Sequence, residues 1–148
     1  GERKPRAFLQ TPFTEGLPKF SPDGRWIAYI SNESGPFQTY VQPFPGPGGK
    51  WQVSTDGGGE PAWSRNGREL YYRNGDRMMA VDITPGPTFS AGKPRLLFEG
   101  RYVSFGGASN LDVAADGRFL MVQESVPEAG VDQINLVLNW LEEVRRRK

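Results

Sequence analysis

The sequence predicts an all-β fold assembled from tandem repeats, on three observations. The stretch Phe20-Ser21-Pro22-Asp23-Gly24-Arg25 recurs in weaker form as Trp63-Ser64-Arg65-Asn66-Gly67-Arg68 and as Val113-Ala114-Ala115-Asp116-Gly117-Arg118. Each copy runs from an apolar strand end into Asp-Gly or Asn-Gly, dipeptides that tolerate the positive φ of a tight hairpin turn, and then into a second apolar run. Nineteen Gly and thirteen Pro in 148 residues suit many short strands joined by turns better than a helical bundle. Finally, Trp26-Ile27-Ala28-Tyr29-Ile30 and Phe119-Leu120-Met121-Val122 are almost unbroken apolar runs, the pattern of strands covered on both faces.

The repeat register follows from the corners. Gly24 and Gly67 lie 43 residues apart, and the match extends upstream, with Phe8 falling on Trp51, Gly16 on Gly59, Pro18 on Pro61 and Phe20 on Trp63. The third corner follows after 50 residues, the extra seven lying between Gly100 and Asn110. A period of this length with four short antiparallel strands predicts β-propeller blades. The first repeat, 17–54, would place strands at 17–20, 25–31, 38–44 and 50–54, with Gly46-Pro47-Gly48-Gly49 as its last turn. The second, 60–99, would place them at 60–63, 69–73, 77–83 and 95–99. The third, 110–140, supplies 110–113, 118–123 and 133–140; in the last, Ile134, Leu136, Leu138 and Trp140 alternate with Asn135, Val137 and Asn139. Residues 141–148 read as a short C-terminal helix, with Glu142 and Glu143 early and Arg145, Arg146, Arg147 and Lys148 late, as the helix dipole favours.

The strand count carries the architecture further. The third repeat lacks a fourth strand, while an N-terminal strand at 6–10 lacks a blade of its own. In a closed propeller the first strand completes the last blade, but closing about three blades on themselves demands more curvature than twisted four-stranded sheets supply. The expectation is therefore a single half-propeller domain spanning 1–148, completed to a six-bladed ring by a homodimer that exchanges N-terminal strands and leaves no open sheet edge. The alternative is that the chain is the last half of a longer propeller.

Composition removes whole classes of chemistry. With 18 Lys and Arg against 17 Asp and Glu, the formal charge of +1 gives no global attraction to nucleic acid. No apolar run reaches the roughly 18 residues of a membrane span, so no direct membrane insertion is expected, and residues 1–5 lack the apolar core of a signal peptide. The absence of His and Cys excludes Ser/His/Asp hydrolysis, thiol chemistry and nearly all zinc sites, and no cofactor or metal is expected. Asp23 and Asp116 read as turn residues, because no calcium-loop spacing surrounds them. The run Thr55-Asp56-Gly57-Gly58-Gly59-Glu60 lacks the Lys-Ser/Thr of a phosphate loop and reads as a flexible crossing between blades.

What remains is carboxylate chemistry and recognition. Glu15, Asp56 and Glu60 precede or open innermost strands, where they would be solvated loop carboxylates or, in a propeller hydrolase or lyase, an acid–base pair at the pore. The basic tail Arg145-Arg146-Arg147-Lys148 reads as a solvated helix end, and Trp26, Tyr29, Trp51, Trp63, Tyr71 and Tyr72 fall at strand positions and read as core. The candidate binding face is formed by the loops that enter innermost strands and those joining second strands to third. It carries Glu15, Phe37, Asp56, Glu60, Arg101, Tyr102, Phe105 and Asn110, the longest loop being 100–109 with aromatic residues among glycines.

The corner Phe20-Ser21-Pro22-Asp23-Gly24-Arg25-Trp26-Ile27-Ala28-Tyr29, with Tyr40-Val41 one strand later, resembles the TolB-like (WD40-like) family of β-propeller repeats. Tyr40-Val41-Gln42-Pro43-Phe44-Pro45, Trp63-Ser64, Leu70-Tyr71-Tyr72 and Val137-Leu138-Asn139-Trp140 resemble the propeller segments that end many bacterial membrane-bound serine/threonine kinases. The resemblance spans nearly the whole chain from Phe8. It departs at the second corner, where Arg65-Asn66 replaces Pro-Asp, and at the third, where Ala114-Ala115 replaces Ser-Pro, changes expected to touch turn chemistry only. The resemblance implies a non-catalytic, often extracytoplasmic or periplasmic module that docks protein or a small ligand at its channel face, with no catalytic residues to carry over. The rival expectations are an enzyme using pore carboxylates and a purely structural propeller fragment.

Overall fold

Each corner is closed by its own side chains. In the first, Gly24 adopts a φ of 70° and donates its N–H to the Ser21 carbonyl at 2.8 Å, while Asp23 Oδ1 accepts the Arg25 N–H at 3.1 Å. Ser21 Oγ donates to Asp23 and accepts the Trp26 N–H at 3.0 Å. The second corner repeats these contacts with Gly67 at φ 68°, Asn66 accepting from Arg68, and Ser64 Oγ accepting the Glu69 N–H at 2.9 Å. Such side-chain bonds give the backbone a turn in place of a ladder.

Ser21 also sets the charge state of its neighbour. The Asp23 carboxyl is held below its ordinary value of 3.8, chiefly by the Ser21 hydroxyl, with Arg25 adding to the effect. A depressed carboxyl adds stability above its unfolded pKa and loses it as pH falls through the folded value. Ser21→Ala should cost about 1 kcal/mol near neutral pH, most of it from the lost Trp26 bond, because the Asp23 side chain is 49% exposed and solvent screens its share. The gap from the parent, followed by urea unfolding, should narrow as pH drops below 3.8. A gap independent of pH would assign the loss to the Trp26 bond alone.

The computed structural model describes residues 4–46, 48–104 and 107–123. Among these every regular element is a strand, and every pairing is antiparallel. The first sheet runs in the order β1 (Glu15–Phe20), β2 (Trp26–Ser31), β3 (Gln38–Pro43), β4 (Trp51–Gln52). The second contains β5 (Gly59–Trp63), β6 (Glu69–Asn74) and β7 (Arg77–Thr84), with β8 (Ser90–Ala91) and β9 (Arg95–Glu99) both paired to β7. The third pairs β10 (Leu111–Val113) with β11 (Phe119–Met121).

Most strands fall where the sequence places them. β8 was not expected; at eight residues, β7 offers an edge long enough for β8 at Ile83–Thr84 and β9 at Arg77–Ala80. Residues 6–10, expected to form a strand, form none within this chain. Leu9 instead packs over Ile27, Tyr29 and Tyr40, and the Phe8 ring lies 5.8 Å from that of Phe44. The strand expected at 133–140 and the helix at 141–148 lie outside the described residues.

The sheets stack face to face in chain order. Trp26, Ala28 and Val41 of the first sheet, with Val53, meet Trp63, Leu70, Tyr72, Val81 and Ile83 of the second, with Phe89 just ahead of β8. The opposite face of the second sheet, with Ala62, Tyr71, Met78 and Ala80, meets Leu111, Phe119 and Met121. Successive side chains alternate across a strand, so Leu70-Tyr71-Tyr72 serves two interfaces at once. Trp63 Nε1 donates to the Lys19 carbonyl at 3.1 Å and ties the first two sheets together.

The third corner departs from the other two in register. Ser21 and Ser64 donate their N–H groups to Trp26 and Glu69, but Ala114 donates to Arg118, one position nearer. Val113 consequently pairs with Phe119, whereas Phe20 pairs with Ile27 and Trp63 with Leu70. A one-residue slip turns every side chain to the other face. Phe119 and Met121 thus enter the core, while Leu120 and Val122 are 51% and 44% exposed. The expectation that Ala114-Ala115 changes turn chemistry alone is corrected accordingly; the strand expected to cover the other face of 119–122, at 133–140, lies outside the described residues. Alanine has no hydroxyl to receive the N–H five residues on, and the hairpin closes more tightly.

Candidate functional site

The first two sheets carry the same irregularity at the same repeat position. β1 shifts register between Gly16 and Lys19, and β5 between Gly59 and Ala62. Each bulge holds a non-glycine residue in the left-handed region, Leu17 at φ 51° and Glu60 at φ 48°. Bulges bend a strand and re-aim a side chain. The residues paired with the neighbouring glycines are Ile30 in the first sheet and Arg73 in the second. An apolar Leu17/Ile30 set in one sheet therefore corresponds to a Glu60/Arg73 set in the next.

Glu60 and Arg73 form a buried ion pair at 3.1 Å, with side chains only 5% and 8% exposed. Arg73 Nη1 donates to Glu60 Oε1 and to the Val103 carbonyl, while Nη2 donates to the carbonyls of Gly75 and Tyr102. Ser104 Oγ donates to Glu60 Oε1 at 3.1 Å and the Asn110 N–H to Oε2 at 2.9 Å. The pair thus straps the segment after β9 to the second sheet. The strap continues sideways, because Tyr102 bridges to Gln123 and the Val103 N–H reaches the Val122 carbonyl.

The reading of Glu60 as a solvated loop carboxylate is corrected, since it lies within β5 and both of its oxygens accept hydrogen bonds. Arg73 was missed as a site residue. The available signal was an arginine two positions beyond Tyr71, in phase with an apolar strand face that cannot bury a cation without an acid opposite.

A cleft of about 560 Å³ opens beside these bulges. Glu15, Leu17, Ile30 and Phe37 contribute from the first sheet and its loops; Gly57, Gly58, Gly59, Glu60, Arg73 and Asp76 contribute from the second, and Tyr102 and Ser104 from the strap. Of the residues singled out from the sequence, Glu15, Phe37, Glu60 and Tyr102 meet here. Asn110 supplies its backbone N–H to Glu60. Asp56 is exposed next to the glycine strip; burial first, and the Asp56 charge second, push the Tyr72 hydroxyl up to about 12. Arg101 is exposed and does not line the cleft, and Phe105 lies outside the described residues.

The glycine strip is fixed, which corrects its reading as a flexible crossing. Gly57 donates to Gln38 Oε1 at 3.1 Å and Gly58 to the Phe37 carbonyl at 2.9 Å. A Cβ on Gly58 would lie 2.3 Å from Ser54 Oγ and 2.8 Å from Thr39 Oγ1, both in fully buried residues. Gly58→Ala should therefore destabilise the chain by about 1–3 kcal/mol through overpacking. Thermal unfolding checks this, and an unchanged melting temperature would mean that the strip yields.

Glu15 is oriented by the Thr11 hydroxyl, which donates to Oε1. Among the described residues no group of three His, Cys, Asp or Glu is placed to hold a metal. The arrangement is thus a concave surface with carboxylates on an apolar wall, held by a buried ion pair whose atoms are already engaged. Compared with known proteins, the chain matches no family model and no curated sequence. The class defined by the geometry is an all-β protein of stacked antiparallel sheets with a cleft beside their first strands.

Proposed function

We propose that the chain is a run of β-propeller blades of TolB-like type acting as a non-catalytic binding or scaffold module, with its protein or small-ligand partner docked in the cleft. The supporting observation is the recurrence, 43 residues apart, of one bulge with one left-handed residue, Leu17 and Glu60, in sheets that stack in chain order. Blades place the starts of their first strands around a common channel. Here those starts, Glu15 to Leu17 and Gly59 to Glu60, border the same cleft. Binding is favoured over proton transfer because both oxygens of the most buried carboxylate of the cleft, Glu60, are engaged, by Arg73 in the sheet and by Ser104 and Asn110 in the strap.

In the second sheet Trp63, Leu70, Tyr72, Met79, Val81 and Ile83 pack toward the first. The corresponding positions of the first sheet hold Phe20, Ile27, Tyr29, Tyr40, Gln42 and Phe44; Leu9 packs over Ile27, Tyr29 and Tyr40, while Phe20 and Phe44 are 57% and 40% exposed. This face suits another sheet of the same kind, supplied by a second copy in a homodimer with exchanged N-terminal segments.

Two measurements test the proposal. Light scattering should give a dimer for the parent chain and a monomer for Phe20→Glu/Phe44→Glu; a folded monomeric parent overturns the assembly. In a thermal-shift screen of short peptides and metabolites, a ligand at a hundredfold its Kd should add about 2.7 kcal/mol of stability. The effect should vanish in Ala108→Trp, which fills the cleft from an exposed lining position. Hits that survive the blocking residue, or a screen without hits, overturn the docking site.

A further inference from the structure

We infer that the cleft recognises a cation carried on an apolar stem, namely an arginine or lysine side chain of an extended peptide segment in a partner protein. This rests on the binding role proposed above and specifies its ligand. The charged side chains lining the cleft are Glu15, Glu60, Asp76 and Arg73. Arg73 and Glu60 neutralise each other, and the remaining Arg73 bonds go to backbone carbonyls. Among the described residues, the charge presented to a ligand is therefore that of Glu15 and Asp76, with Arg73 the only cation in the lining.

The walls add the second half of the recognition. Leu17, Ile30 and Phe37 line the same space, and Phe37 is 43% exposed. An anion would meet like charge, and the amides of Gly57 and Gly58 that could have cradled one are already donated to Gln38 and Phe37. A wholly apolar ligand would strip water from two carboxylates without replacing it, at a cost in free energy. A guanidinium or ammonium group with its methylene stem avoids both penalties, burying the stem and pairing the head. The volume of about 560 Å³ lies within the range that encloses a ligand of small-peptide size.

The test is isothermal titration of the whole chain with acetyl-Arg-Leu-Arg-amide, with its citrulline counterpart and with hexylamine. The arginine peptide should bind, and citrulline should weaken it by about tenfold or more, because citrulline keeps the shape and removes the charge. Glu15→Gln and Asp76→Asn should each weaken it by roughly threefold to tenfold, and added salt should weaken it further. Glu15 is half-buried and Asp76 exposed, so both variants should keep the parent circular dichroism spectrum. Equal binding of the two peptides would overturn the charge inference while leaving a binding module. Failure of both peptides together with hexylamine would overturn the cleft as a docking site. Hexylamine binding as tightly as the arginine peptide would replace the protein partner by a small amine.

Discussion

Replacing Arg73 with isoleucine should lower the free energy of unfolding by about 3–5 kcal/mol, the cost of leaving a buried carboxylate without its partner. Glu60 is only 4% exposed, so its charge depends on the partner it has. Restoring balance should restore stability: Glu60→Leu/Arg73→Ile reproduces the Leu17/Ile30 set found at the same repeat positions of the first sheet. Leucine already occupies the left-handed conformation there, at φ 51°, close to the 48° of Glu60. Replacing a buried pair by matched apolar groups is often neutral or stabilising. The double variant should therefore recover most of the loss in urea unfolding.

The strap should not recover with the sheet. In the double variant Ser104, the Asn110 N–H and the carbonyls of Tyr102 and Val103 lose their partners. Hydrogen exchange at Asn110 should accelerate even as global stability returns. A double variant as unstable as the single one would show that the bonds to the strap, rather than the orphaned charge, carry the stability.

Trp63→Ala should cost about 3–5 kcal/mol, the range for an aromatic side chain deleted from a core. Trp63 is 9% exposed, lies at the joint of the first two sheets and donates to Lys19. Its repeat counterpart Phe20 provides an internal control. At 57% exposure, Phe20→Ala should change stability by less than about 1 kcal/mol in the isolated chain. If a second copy covers that face, the cost should rise with protein concentration, since association stabilises by mass action. Urea unfolding at two concentrations separates these cases, and a Trp63→Ala variant of unchanged stability would contradict the stacking itself.

Much of this architecture is legible along the chain. The corners are local: Asp23, Asn66 and Asp116 bond to the arginine N–H two residues on, within a few ångströms of sequence-adjacent chain. The strands between them follow from apolar runs bounded by these turns, and Trp26, Tyr29, Trp63, Tyr71 and Tyr72 are buried as strand aromatics should be. Of the cleft, Glu15, Phe37, Glu60 and Tyr102 could be named in advance, because loop order places them at one end of the sheets.

The all-β class, the 43-residue period and the positions of most strands can be read along the chain, because turn chemistry and side-chain alternation act over a few residues. The remainder is set by contacts between distant segments. Whether Glu60 is solvated or buried depends on Arg73 in a neighbouring strand and on Ser104 and Asn110 from a segment more than forty residues away. Which face of β11 enters the core depends on the missing Ser hydroxyl at Ala114, a single bond whose loss shifts the register by one and inverts every side chain after it. Period and propensity specify which residues share a face, whereas the neighbour that covers that face is selected by through-space burial and pairing.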